Sequence, residues 1–395
     1  MLTPYLPYPP ASGGQIRTLN LLKYLKKNNH ITLVSLYKNA QEKKYASYLE
    51  SYCDEIHLCK RAEKPWQIKN ILKSVLWILP FLIVRNYSRE AKHTVSQLLK
   101  TQTYDVIHAE TFYIMPHIPE THIPILLVEQ TIEFKVYQHF ISALSFPVRM
   151  ALSVDIAKLK FWETYFWRQA SQVATMSQSD KDIITSIEPR INPVIIPNGA
   201  GDDMFVKRLT KKNLTCPKLL FVGNFYWLQN TEAAEYLIHR VFPKLKKDIP
   251  GVQLIIAGQN AKKTITTKDK GIVIRDIKPD DNEAVTNAYQ EATLFLAPIL
   301  GPGGTRLKVL AAMASGVPIV STSTGVEGLG VDHLTHVSIA DTPDAFVDES
   351  KRLLSDETLY RTLQTNAYTL AKEQYSWKSI SKKLETIYKT ITQTA

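Results

Sequence analysis

Cysteine is scarce and unpatterned. Cys53, Cys59 and Cys216 form no Cys-x-x-Cys pair and cannot all pair with one another. This excludes a disulfide-stapled scaffold and a cysteine-based metal or redox centre, and fits thiols used as core filler in a reducing cytoplasm. Long apolar runs are missing too: the longest, Val75 to Val84, is too short to span a bilayer and is broken by Pro80. No charge precedes Arg17, so the chain does not start like a secretory signal. Basic residues are scattered, with only short clusters such as Lys207–Arg208, Lys211–Lys212 and Lys262–Lys263. Without an arginine-rich arm or zinc-finger spacing, nucleic acid is not an expected partner.

What is present points to a globular enzyme-sized chain. Its 395 residues exceed what one core usually serves, which predicts two domains. Lys and Arg number 48 against 37 Asp and Glu, and the resulting charge of +11 favours anionic partners such as phosphorylated small molecules or lipid headgroups.

Short β-branched runs alternate with longer helical patterns, the sequence form of parallel sheets covered by helices, so the fold class is α/β. In the first half the expected strands are Ile31–Tyr37, Ile56–Cys59, Val106–Ala109, Ile125–Val128, Gln172–Met176 and Val194–Ile196. In the second they are Lys218–Val222, Val252–Ala257, Ile272–Arg275, Leu294–Ala297, Pro318–Ser321 and His336–Ile339. The turn-rich Pro197-Asn198-Gly199-Ala200-Gly201-Asp202-Asp203 and the basic stretch from Lys207 to Cys216 separate the halves. The expected domains are 1–198 and 217–375, with a linker at 199–216. Only Met1, Leu2 and Thr3 precede Pro4, so the first strand is expected to lack four or five residues.

Two glycine turns open helices. Ser12-Gly13-Gly14, with Arg17 one turn on, can bring backbone N–H groups and a cation to an anion, or can be an ordinary strand-to-helix turn. In the second half Gly223 and Asn224 end a strand before a helix that Asn230 can cap, and Phe225 to Trp227 suit either packing or ring stacking. The most informative stretch runs from Ala297 to Thr322 and reads strand, glycine loop, helix, glycine stop and strand. Its packing stripe is expected to be Leu307, Leu310, Ala311 and Ala314, with Thr305, Lys308 and Ala312 on the other side. Gly303, Gly304, Thr305, Arg306 and Lys308 then form a pyrophosphate site, Arg306 joining only from a frayed first turn.

In order, Ser12-Gly13-Gly14 with Arg17, Pro197-Asn198-Gly199, Phe221-Val222-Gly223, Gly303-Gly304-Thr305-Arg306-Leu307-Lys308 and Thr322-x-x-Gly325-Val326-Glu327-Gly328-Leu329 resemble retaining glycosyltransferases of the GT-B fold, family 4 type. The resemblance implies two Rossmann-like doubly wound domains facing a cleft, a nucleotide-sugar held mainly by the C-terminal one, and retention at the anomeric carbon. It implies no metal and no cofactor beyond the donor, and a last helix, 376–395, returning to the N-terminal domain. Glu327 joins the donor set by this likeness. Where many relatives carry two glutamates eight residues apart, this chain has Gly303 and Ala311, and Ala311 shares a helix side with Lys308.

In the first half, Gln130 stands where relatives often place a histidine, and is assigned positioning because a carboxamide cannot act as a base near neutral pH. Glu129 and Glu133 are candidates to receive the acceptor, with surface ion pairing as the alternative. His108, at the end of another strand, is a candidate at the cleft edge, with a structural role as the alternative. Segments 66–89 and 147–167 mix apolar and basic residues, which suits either packing on the sheet or rest on an anionic membrane at its cytoplasmic face. The acceptor is expected to be a glycan or a lipid-linked sugar. A non-catalytic glycosyltransferase-like protein that binds a nucleotide or a partner, and a sugar-nucleotide epimerase of similar fold, stand as alternatives.

Overall fold

The computed structural model describes all residues except 65, 66, 77, 143, 211, 280, 302–305 and 395. The chain divides into two compact units, the first comprising Met1–Pro197 with Ser381–Ala395 and the second Asn198–Ile380.

The first unit is a parallel sheet of seven strands. They are β1 (Leu2–Thr3), β2 (Thr32–Tyr37), β3 (Glu55–Lys60), β4 (Ile107–Glu110), β5 (Ile125–Glu129), β6 (Gln172–Thr175) and β7 (Val194–Ile195). Their order is β3-β2-β1-β4-β5-β6-β7, so the direction of winding reverses between β1 and β4. The short β1 is therefore the central strand, with Leu2 opposite Val34 on one side and Ala109 on the other. Helices that carry the argument are α1 (Gly13–Leu25), α2 (Ile68–Leu76), α3 (Glu133–Ser142) and α4 (Phe146–Gln169). Ser12 caps α1 by accepting the N–H of Gln15.

The second unit repeats the plan with six strands. These are β8 (Lys218–Val222), β9 (Gln253–Gly258), β10 (Ile272–Asp276), β11 (Leu294–Ala297), β12 (Ile319–Ser321) and β13 (Ser338–Ile339). Their order, β10-β9-β8-β11-β12-β13, is parallel throughout and reverses between β8 and β11. Strand residues alternate between two cores. Leu220, Ile255, Phe295 and Ile319 face one, and Leu219, Leu254, Leu294 and Val320 face the other. Burial on both faces is why these strands read as unbroken apolar runs rather than as an apolar–polar alternation. Helix α5 (Leu228–Tyr236) follows β8, and α6 (Leu307–Ala314) and α7 (Ser323–Val326) follow β11 and β12. The final helix, α8 (Trp377–Thr394), contributes residues from Ser381 onward to the first unit.

Helix α6 departs from the expected stripe. Ala312 is fully buried together with Val309, Leu310, Met313 and Ala314, while Leu307, Lys308 and Ala311 keep partial exposure. The helix is packed both on the sheet and on the helix Glu357–Gln374, so only one narrow edge remains open. Lys308 and Ala311 share that edge.

Candidate functional site

In open parallel sheets ligands settle outside the carboxyl ends of the strands, where the winding reverses. Each unit has one such place.

In the first unit the carboxyl ends of β1, β4 and β5 carry a continuous polar chain, buried at His108 and Glu110 and partly exposed at Tyr5, Gln130 and Tyr388. The Tyr5 hydroxyl donates to Gln130 Oε1 (3.0 Å), and Gln130 Nε2 donates to Glu110 Oε2 (2.7 Å). Glu110 Oε1 accepts from His108 Nε2 (3.1 Å), and the Tyr388 hydroxyl from α8 bonds His108 Nδ1. The tautomer follows from the network: Nε2 carries the proton because Glu110 can only accept. Burial opposes the charge on Glu110, yet the His108 hydrogen bond and the Arg17 charge overcome it and hold this carboxyl at about 2. Burial pushes His108 below its ordinary value, so the imidazole is neutral. Because Glu110 is ionised, the amide nitrogen of Gln130 must face it, which turns its oxygen to Tyr5. A side chain at Gly14 would strike the Tyr5 hydroxyl at 1.9 Å, so glycine there lets this pair lie on the first turn of α1.

Arg17 corrects an expectation. It does not reach out from the glycine turn to an anion. It is fully buried, with Nη1 donating to the carbonyls of Ile196 (3.1 Å) and Pro197 (3.0 Å) and Nε 3.7 Å from Glu110. Its place on the inward side of α1, beside Thr18 and Leu21, fixes that direction. Gly13 is the first residue of the helix.

Glu129 and Glu133 are not surface ion-pairing residues. Glu129 is fully buried and its Oε1 accepts the Trp167 indole N–H (2.8 Å). Burial, with the Glu133 carboxylate nearby, raises its pKa. Glu133 opens α3 and keeps partial exposure, and burial pushes its carboxyl up to about 7. A third carboxyl, Glu163 from α4, accepts the N–H groups of Glu133 (2.8 Å) and Phe134 (3.0 Å), holding the exposed turn of α3 to α4.

In the second unit the ends of β8 and β11 meet. Gly258, at the end of β9 with φ +140, packs on the Gly223 carbonyl, which an added Cβ would meet at 1.8 Å. Asn224 Nδ2 donates to Gln259 Oε1 (3.1 Å). Asn230 does not cap α5. It lies in the first turn, donates Nδ2 to the Asn224 carbonyl (2.7 Å) and accepts from Lys308 Nζ. The Lys308 ammonium also stands 4.8 Å from the Phe221 ring centroid. Burial, together with Arg306, lowers the Lys308 pKa to about 7. Arg306 precedes α6 and is turned inward, Nη2 donating to the carbonyls of Gly301 (3.0 Å) and Thr324 (3.2 Å). Instead of fraying into solution it ties the loop to α7, and Glu327 is near enough to support its charge. Gly303, Gly304 and Thr305 lie outside the described residues. Phe225 is buried against Phe221, whereas Tyr226 and Trp227 are exposed. The chain thus gathers Gly223, Asn224, Asn230, Arg306, Lys308 and Ala311 at one switch point. Tyr5, Glu110 and Tyr388 were not expected in the first unit, and no local pattern signals them.

Residues 216–356, which span β8 to β13, match the family model described as Glycosyl transferases group 1. A 44.6 kDa protein in the cps region of Klebsiella pneumoniae is 25% identical, with 95% of each chain covered. Among solved structures, HepE of Anabaena in complex with UDP-glucose gives a TM-score of 0.62 at 13% identity, covering 98% of each chain. A glycosyltransferase from Rickettsia africae gives 0.63 at 15% identity, over 100% of this chain and 98% of that one. Sucrose-phosphate synthase from Thermosynechococcus elongatus gives 0.61 at 12%, over 96% and 93%. These structural likenesses bear on the fold, which is GT-B.

Proposed function

We propose that this chain, a glycosyltransferase of the group 1, GT-B type, moves a sugar from a nucleoside-diphosphate sugar held by its second unit to a glycan or lipid-linked acceptor, with retention of anomeric configuration and without a bound metal. The observation that carries the reading is Lys308. Among the described residues no carboxylate pairs with this cation, and it stands at the carboxyl ends of β8 and β11 beside Arg306. A diphosphate supplies the missing negative charge. The HepE complexes with UDP-glucose and with UDP and glucose support a UDP-sugar as the first donor to test. The cps-region relative supports a role in polysaccharide assembly; a cytoplasmic site for the transfer is part of this proposal. The group 1 match favours transfer over the epimerase alternative.

In the first unit Gln130 positions, because a carboxamide neither gains nor loses a proton near neutral pH and both its ends are already held. Glu129, shut in by Trp167, is removed from contact with substrate. Glu133 is the carboxyl suited to exchanging a proton at neutral pH, since its value lies near 7 and it keeps partial exposure.

One pair of variants tests the donor site by calorimetry with UDP-sugars. Lys308→Ala removes a charge-assisted phosphate contact of about 1.5–3 kcal/mol, roughly tenfold to hundredfold in affinity. Ala311→Glu adds a carboxylate on the same open edge, able to accept from both ribose hydroxyls, and is expected to tighten binding or raise turnover. Unchanged affinity in both variants overturns this placement of the donor. The non-catalytic alternative rests on Ala311, whose methyl offers the ribose nothing, and on Gln130, which cannot act as a base. Tight donor binding with no glycosylated product, in wild type and in Ala311→Glu, would decide for it. Retention is read from the anomeric proton coupling of the product.

A further inference from the structure

Helix α2 is inside out. Its polar residues Asn70 and Ser74, one turn apart, are buried, while Ile68, Ile71, Leu72, Val75 and Leu76 are exposed. Spacings of three and four place those five on one face, the pattern a globular helix ordinarily turns to its core. The inversion is held by specific bonds: Ser74 Oγ donates to Asp155 Oδ1 (2.8 Å), Lys158 Nζ donates to the Ser74 carbonyl (2.7 Å), and the Trp162 indole donates to the Ile78 carbonyl (3.1 Å). All three partners are on α4, so the apolar face of α2 is turned outward by design of the contact rather than by want of one. The first turns of α4 are likewise open, with Phe146, Met150 and Val154 each at least 60% exposed. Most exposed large apolar side chains among the described residues fall on α2, α3 and α4. A cluster of that kind on a soluble surface calls for an apolar partner.

The charge around it selects the partner. No Asp or Glu occurs between Glu63 and Glu90, a stretch that presents Lys64, Lys73 and Arg89 while Arg85 is turned inward toward Glu133. Between Glu133 and Glu163 the one acid is Asp155, which is occupied by Ser74 and the Phe81 N–H. Arg149 lies over the exposed Phe146 ring at 5.7 Å, an apolar ring with a cation at its rim. No helix among the described residues is long and apolar enough to cross a membrane. An apolar face with basic surroundings on a helix of nine residues suits insertion to headgroup depth.

We propose that the outward face of α2, with the open start of α4, docks the first unit on an anionic phospholipid bilayer. The apolar side chains enter the acyl boundary, and Lys64, Lys73, Arg89 and Arg149 meet the headgroups. This surface is separate from the donor residues, so its test does not depend on the donor assignment. Purified full-length protein is sedimented with vesicles of phosphatidylcholine alone and with a large fraction of phosphatidylglycerol. It is expected to bind the anionic vesicles, and to release as salt is raised. The double variant Leu72→Asp with Leu76→Asp is expected to lower partitioning at least roughly a hundredfold, since each leucine alone is worth about tenfold or more on burial. Both positions are exposed, so the variant's melting temperature and UDP-sugar affinity should match wild type. Absence of binding to anionic vesicles overturns the proposal. So does a wild-type dimer in sedimentation velocity that the double variant dissolves, which would make a second copy the occupant. Loss of UDP-sugar binding with vesicle binding intact would strike the donor reading alone.

Discussion

At the β1/β4 switch point the cation is answered from within: Arg17 faces Glu110 and donates to two carbonyls, and Glu110 is further engaged by His108 and Gln130. At the β8/β11 switch point Lys308 meets a neutral carboxamide and a phenyl ring, and the neighbouring charge is another cation. The same strand order thus produces a closed electrostatic circuit in one unit and an open one in the other. Polar groups that satisfy one another rigidify a scaffold, whereas a desolvated cation without a counter-charge is poised for an anion. Under the proposed function the first arrangement is a platform for the acceptor, and the second a seat for the donor diphosphate.

The largest expected effect comes from opening the closed circuit. Glu110→Gln leaves Arg17 fully buried without its carboxylate, and breaking a buried pair of this kind costs about 3–5 kcal/mol. Urea denaturation at neutral pH should show a loss of that size, with Lys308→Ala near wild type in stability. The acid limb supplies a second reading. Glu110 is held at about 2, below its ordinary 4.5, so its contribution is present above the ordinary value and is lost as pH falls toward 2. The variant should lack that part of the acid transition. Equal stability of Glu110→Gln and wild type would mean that Arg17 is satisfied by its carbonyls alone.

A smaller effect of opposite sign is expected one strand away. Glu129 is as buried as Glu110, yet its pKa is raised, because desolvation and the neighbouring carboxyls outweigh the Trp167 hydrogen bond. A carboxyl raised in the folded state stabilises at acid pH and loses that contribution as pH climbs through its folded value. Glu129→Gln keeps an oxygen for the Trp167 N–H and removes the charge. It should therefore stabilise the protein at pH 8 and do little at pH 4. Melting temperatures at the two pH values check this, and a destabilised variant at pH 8 would show that Glu129 is ionised by a partner other than Trp167. The contrast locates the cause in partners rather than burial.

The sheet order and the placement of the second switch point follow from features a sequence displays openly. Strands buried on both faces appear as apolar runs, and Gly223 and the Ala297–Thr322 stretch mark the turns that end them. β1 was legible only as the remnant of a longer first strand, because two residues cannot show a period, and its role depends on pairing with β2 and β4. The buried circuit was illegible for a different reason. Tyr388 lies 280 residues from His108, and only the assembled fold brings them together. Arg17 looked like an anion ligand because local spacing cannot say whether a helix turns a side chain to the loop or to the sheet. For α2 the amphipathic period was plain, but the direction of the apolar face depends on Asp155, Lys158 and Trp162, which are far along the chain. Periodicity reveals that a helix has two faces and leaves open which one is buried.

The smallest expected effect is also the finest probe of the open circuit. In the free protein Lys308 titrates at about 7, lowered from 10.5 by burial and by Arg306. A diphosphate placed beside it favours the charged form and raises that value. Between the free and bound values the complex therefore holds a proton that the free protein lacks, and binding takes one up. Affinity should be level below about pH 7 and fall as pH rises above it, by up to about tenfold per unit. A nucleotide-sugar is the right ligand, because its phosphodiester groups do not titrate in this range. Lys308→Arg supplies the control, since a guanidinium stays charged throughout and should flatten the profile even if the longer side chain weakens binding overall. Calorimetry in buffers of different ionisation enthalpy would count the proton directly. A level wild-type profile from pH 6.5 to 9 would mean that Lys308 is already charged in the free protein, and the distinction between a closed first circuit and an open second one would lose its electrostatic basis.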